Sequence, residues 1–128
     1  MSVERSRWIA YADENRAIAR LALDSGYYNA CLQNVQQAVE KYLKALLLAR
    51  GLEFRKTHSI ETLRNQLAGE GLDAALSDED CILLDSIYMP SKYPFGSVLP
   101  DFNPDADICD QCIRIADAVR KAVFSAGV

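Results

Sequence analysis

Apolar residues recur every three or four positions along most of the chain, the spacing of helices that bury one face. The pattern is clearest over residues 27–50, where Tyr28, Cys31, Leu32, Val35, Val39, Tyr42, Leu43, Leu46 and Leu47 line one side of a predicted helix. Gln33, Gln36, Gln37, Glu40, Lys41 and Lys44 fall on its flanks, and Glu40 precedes Lys44 by four, the favourable order for an exposed ion pair. Gly51 stops this helix, and Arg50 suits the negative end of its macrodipole. A first helix is predicted over 3–24, with Trp8, Ala12, Asn15, Ile18, Ala19 and Ala22 inward and the Ser25-Gly26 pair as its stop. A third spans 59–68, capped by Thr57 or Ser59, with Glu61 in its first turn. A fourth spans 77–88 and carries Asp78, Glu79 and Asp80 at its positive end. The last starts at Pro104 or Asp105 and runs to Phe124, with Ile108, Cys112, Ile115, Ala116, Val119 and Val123 as its stripe. Pro90, Pro94, Pro100 and Pro104 mark 90–103 as a long non-helical segment, a kind that is more often functional or interface-forming than decorative. No stretch reads as a strand. The expected fold class is therefore all-α: an up-and-down bundle of four to five helices with a long Pro-containing loop before the last helix, forming one domain over 1–128.

Composition narrows the partners. With 128 residues the chain can bury a core without disulfides or metal. A formal net charge of -4 argues against a protein that tracks long DNA or RNA, since phosphate neutralisation calls for a basic surface; a small basic pocket stays possible. The charged start is unlike a signal peptide, and the longest strongly apolar run, 45–49, is far short of the roughly 20 residues a membrane span needs. The expected setting is the cytoplasm, away from membranes, with Cys31, Cys81, Cys109 and Cys112 reduced. Cys109 and Cys112 fall within one helical turn, and no second close pair completes a four-ligand zinc site. They read as small buried hydrophobes, and no metal or cofactor is expected.

Two short segments carry candidate chemistry. Arg55, Lys56, Thr57 and His58 approach a helix N-terminus, where cations and free backbone N–H groups can hold an anion. The plainer alternative is a solvated basic loop with His58 as a capping or packing residue. Tyr88, Lys92 and Tyr93 set aromatic rings beside a cation, a combination suited to a base and a phosphate. Here the alternative is that both tyrosines pack the loop onto the bundle while Lys92 tethers it. Gln36 and Gln37 are candidates for hydrogen bonds to a partner helix, whereas Glu40 and Lys44 read as solvated flank residues. The chain has no Gly-rich phosphate loop, no paired-carboxylate constellation and no nucleophile with a plausible base.

The run Tyr27-Tyr-Asn-Ala-Cys-Leu-Gln-Asn-Val-Gln-Gln-Ala-Val-Glu-Lys-Tyr-Leu-Lys-Ala-Leu-Leu-Leu-Ala-Arg-Gly51 resembles the central helix of HEPN domains (higher eukaryotes and prokaryotes nucleotide-binding). Lys56-Thr57-His58 is similar to that family's Lys-Thr-His segment, and Tyr88-Met-Pro-Ser-Lys-Tyr-Pro94 to its aromatic-Pro-Thr-Arg-Tyr-Pro segment, in the same order. The resemblance implies a homodimeric helical bundle. It also implies a minimal nucleotidyltransferase as partner, in some cases as a toxin–antitoxin pair, and binding of a nucleotide or short RNA. Some branches of the family are metal-independent ribonucleases with an Arg followed by a His after four to six intervening residues. His58 is the lone histidine, and the positions that would hold that Arg are Gly51, Leu52 and Glu53; Arg50 and Arg55 both miss the window. Ser91-Lys92 stands where Thr-Arg is common, so the charge is kept and the bidentate fork lost. The leading expectation is a non-catalytic, dimeric binding module. The alternative is an atypical ribonuclease in which His58 is the acid/base and Arg55 or Lys56 stabilises charge.

Overall fold

A computed structural model describes residues 3–54, 56–92 and 103–128, with 89–92 as backbone only. Five helices account for most of it: α1 (Val3–Asp24), α2 (Tyr28–Ala49), α3 (Ile60–Gly69), α4 (Asp78–Lys92) and α5 (Ala106–Ser125). The described residues contain no strand. The chain is thus an all-helical bundle, as the periodicity predicts. α2 lies at its centre and packs against every other helix, most extensively against α1.

The reason lies in the make-up of α2. Its predicted stripe is buried from Cys31 to Leu47, and Ala38 and Ala45 beside the stripe are buried too. Small residues on a second face let other helices approach closely, so α2 is enclosed rather than half-exposed. The other helices bury one side each. Ala12, Ala19 and Ala22 of α1 and Cys112, Ile115, Ala116, Val119 and Val123 of α5 close over α2. Ile18 departs from the predicted inner face of α1 and is substantially exposed, as are Tyr11 and Leu21. Alanines supply the buried contacts of α1, while Ile9 and Leu23 pack partly buried against the same core.

Glycines at positive φ (Gly26 at 78°, Gly51 at 70°) end α1 and α2, where only a residue without Cβ turns cheaply. Ser59 caps α3 and Asp105 caps α5, each side chain accepting from the amide three residues on. α4 runs further than expected. Residues 90–92, read from the prolines as the start of a non-helical segment, form its last turn. Pro90 has no N–H to offer the Ser86 carbonyl, so the helix forgoes that one backbone bond and continues through it to Lys92. The rest of the predicted loop, 93–102, lies outside the described residues.

All four cysteines are buried and free. Burial pushes the thiols of Cys31 and Cys112 up to about 12 and that of Cys81 to about 11, which keeps them protonated at neutral pH. Cys109 donates to the Tyr28 carbonyl at 3.5 Å and so packs α5 onto the start of α2.

A polar seam ties α1 to α5. Arg120 reaches Asp13 at 2.9 Å, the Tyr42 hydroxyl donates to the same carboxylate, and Arg16 and Arg20 pair with Asp117. Partial burial pulls the Asp13 pKa up. The hydrogen bonds from Arg120 and Tyr42, with the charges of Arg120 and Arg16, outweigh it and hold the carboxyl below its ordinary value. This contribution is complete above the unfolded value, about 3.9, and is lost as pH falls through the lower folded value. The urea midpoint is therefore expected to fall between pH 5 and pH 2 (on the order of the range where Asp titrates), and Asp13→Asn should reduce that fall.

Candidate functional site

The connection between α2 and α3 folds back over α2 rather than standing out in solvent. Beneath it, Gln36, Glu40 and Lys44 form a line at four-residue spacing along α2, with exposures of 1 %, 4 % and 6 %. Buried polar groups need partners, and these three have them. Gln36 Nε2 donates to the His58 carbonyl at 3.2 Å. Lys44 Nζ donates to Glu40 Oε2 at 3.1 Å, and Glu40 Oε1 lies 3.0 Å from His58 Nδ1. Lys44 also sits 5.5 Å from the Trp8 ring centroid and 5.1 Å from that of Phe54, two rings that meet edge to face. The reading of Glu40 and Lys44 as solvated flank residues, and of their pairing as exposed, is thus corrected. A polar line flanking an apolar stripe looks solvent-facing until a connecting segment covers it.

The consequence falls on His58. A carboxylate can only accept, so Nδ1 carries the proton towards Glu40 and Nε2 is the ring's acceptor nitrogen. The His58 ring stacks on Tyr88 of α4, with centroids 4.9 Å apart and planes 18° from parallel. Its side chain is nevertheless 57 % exposed. Among the described residues the ring is fixed on one edge by Glu40 and stacked on Tyr88, while more than half of its side chain stays exposed. The Lys56–His58 segment and the Tyr88 segment therefore meet in space.

Beside these rings is a cleft of about 320 Å³, lined among the described residues by Thr57, His58, Ser59, Asp85 and Tyr88. Its floor differs from the one expected. Asp85, from α4, accepts from the amides of Ile60 (2.6 Å) and Glu61 (3.2 Å) and from the Ser59 hydroxyl (3.1 Å). The first-turn amides of α3, expected to be free for an anion, are taken by a carboxylate of the chain itself. Thr57 accepts from the Ser59 amide, which shapes the turn into α3.

Of the residues singled out in the sequence, Thr57, His58 and Tyr88 line the cleft. Lys56 is exposed next to them in sequence. Lys92 ends α4, one turn beyond Tyr88, while Arg55 and Tyr93 lie outside the described residues. Arg50, the other arginine close to the ribonuclease spacing, donates to the Ala126 carbonyl at 2.9 Å. Sequence reasoning missed Glu40 and Asp85. For Glu40 a signal existed, in the regular Gln36-Glu40-Lys44 spacing; Asp85 carried none. No group of three or more metal-ligating side chains occurs among the described residues.

A family model described as the HEPN domain matches residues 6–125. Two solved structures are similar over nearly their whole length. The archaeal HEPN homologue ST0689 is 29% identical with a TM-score of 0.72, the match covering 94% of this chain and 95% of that one. TT1696 from Thermus thermophilus is 25% identical with a TM-score of 0.67, at 98% and 99% coverage. No curated protein gives a significant match.

Proposed function

Because the chain belongs to the HEPN domain family, with residues 6–125 matched, we infer that it is a non-catalytic binding module that takes a nucleotide, free or within a short RNA, at the His58–Tyr88 cleft. One observation carries this reading: His58 is stacked on Tyr88 and hydrogen-bonded to Glu40, yet more than half exposed. An aromatic face already oriented by the fold is what base stacking needs, since little ordering remains to be done on binding. Thr57 and Asp85 supply polar edges, and Lys56 is the nearest exposed cation along the chain. Lys92 and Tyr93 come from the segment similar to the family's, and Arg55 from the basic run before α3; the cleft is drawn without them, since their side chains lie outside the described residues.

The module works as a homodimer and engages a minimal nucleotidyltransferase protein. The exposed Tyr11, Ile18 and Leu21 of α1 offer an apolar face for such contacts.

Calorimetry with ATP, GTP and short single-stranded RNA tests the binding. Saturable binding is expected, and His58→Ala should weaken it by about 1–3 kcal/mol, or roughly 5- to 150-fold. Equal binding by wild type and by a folded His58→Ala variant would remove the site; no binding to any of these would remove the function. A second reading draws on the Glu40–His58 contact, which orients the ring through Nδ1 and leaves Nε2 as a candidate proton acceptor. Labelled tRNA should nonetheless remain intact, and cleavage abolished in His58→Ala would make the protein a ribonuclease instead.

A further inference from the structure

A nucleotide offers two handles, a planar base and a charged phosphate, and the floor of the cleft discriminates between them. Phosphate groups commonly bind where a helix N-terminus presents free amides. At α3 that position is already filled. Asp85 bonds the Ile60 and Glu61 amides and the Ser59 hydroxyl, so its carboxylate stands where a phosphate would stand. An incoming phosphate would have to expel it or approach it closely, and like charges at short range repel.

The positive charges of the described surroundings do not compensate. Lys44, though close in the fold, is committed to Glu40 beneath His58. Lys56 is exposed, and an exposed ion pair is screened to less than about fivefold in affinity. The upper part of the cleft is different in kind. Two near-parallel rings, one of them largely open, can be extended by a third planar ring. At about 320 Å³ the cleft lies at the low end of small-molecule sites, roughly 300–1,000 Å³, and suits one nucleoside better than a longer piece of chain.

We propose that the cleft recognises the nucleoside part of its ligand, the base stacking against His58, and that Asp85 keeps the N-terminus of α3 closed to phosphate. This rests on the binding function inferred above and specifies it. The phosphates stay outside the cleft, and affinity is nearly independent of their number.

The test is calorimetry of the full chain with adenosine, guanosine, the corresponding 5′-mono- and triphosphates, and inorganic phosphate, at one fixed salt concentration. The expected result is binding of at least one nucleoside, with less than about fivefold gain on adding one or three phosphates, no competition by inorganic phosphate, and loss of nucleoside binding in His58→Ala. Tight triphosphate binding with no nucleoside binding, or a gain of about tenfold or more per phosphate, overturns the proposal while the broader nucleotide-binding function stands. Failure of every nucleoside and nucleotide to bind removes that function and this proposal with it.

Discussion

Replacing Glu40 by alanine is expected to destabilise the protein by about 3–5 kcal/mol, the usual result of removing one partner from a buried ion pair. Glu40 and Lys44 have side-chain exposures of 5% and 8%, so little water can replace the missing carboxylate. Lys44 would keep its place between the Trp8 and Phe54 rings, and those contacts offset only part of the loss. Denaturant unfolding measures the effect as a lower midpoint at unchanged slope. The double replacement Glu40→Leu with Lys44→Met removes both charges and should recover most of the stability, because well-packed apolar residues often equal or exceed a buried pair. An effect of Glu40→Ala below about 1 kcal/mol would mean that the pair is solvated like an ordinary surface pair. The double variant also separates stability from function: it folds, yet leaves His58 Nδ1 without its acceptor and the ring free to turn.

Leu43→Asp should abolish folding altogether. Leu43 is fully buried in the middle of α2, the helix that every other helix packs against. Truncation to alanine at such a site costs about 2–5 kcal/mol. Aspartate adds the desolvation of a charge with no partner, and together these approach the whole stability of an ordinary domain, about 5–15 kcal/mol. Loss of the helical circular-dichroism signal and of a cooperative melt is the expected observation for Leu43→Asp, against a folded but weakened Leu43→Ala. A cooperative, native-like melt for Leu43→Asp would contradict the central position of α2.

The helices are legible in the sequence because each is specified locally. The three-to-four spacing from Cys31 to Leu47, the stops at Gly26 and Gly51, and the capping residues Ser59 and Asp105 act within a turn or two of where they stand. The end of α4 is misread for a related reason. A proline is a strong local signal against helix, yet it removes only one backbone bond, and Asp78–Lys92 stays helical across Pro90. What periodicity cannot convey is which polar flank a neighbouring segment will cover. Gln36, Glu40 and Lys44 have the spacing of solvent-facing residues, and distant cover makes them interior: His58 and Phe54 from the α2–α3 connection, and Trp8 from α1. The site is half visible for the same reason. His58 and Tyr88 stand out as aromatic rings near cations. Their stacking depends on α4 lying beside the start of α3, and Asp85 arrives with it from 25 residues downstream of Ile60. Local chemistry suggests an open anion site; a long-range contact fills it.

These two levels meet in one claim: a ring held by a buried carboxylate on one side and a tyrosine on the other is a ready-made surface for a base. The most direct test is a nuclear magnetic resonance titration of the isotope-labelled protein with a nucleoside, following the ring protons of His58 and Tyr88 and the backbone amides. Saturable shifts of the His58 ring resonances are expected, with amide changes centred on residues 57–59 and 85–88. Saturable shifts centred elsewhere, with the His58 and Tyr88 rings unmoved, would contradict it.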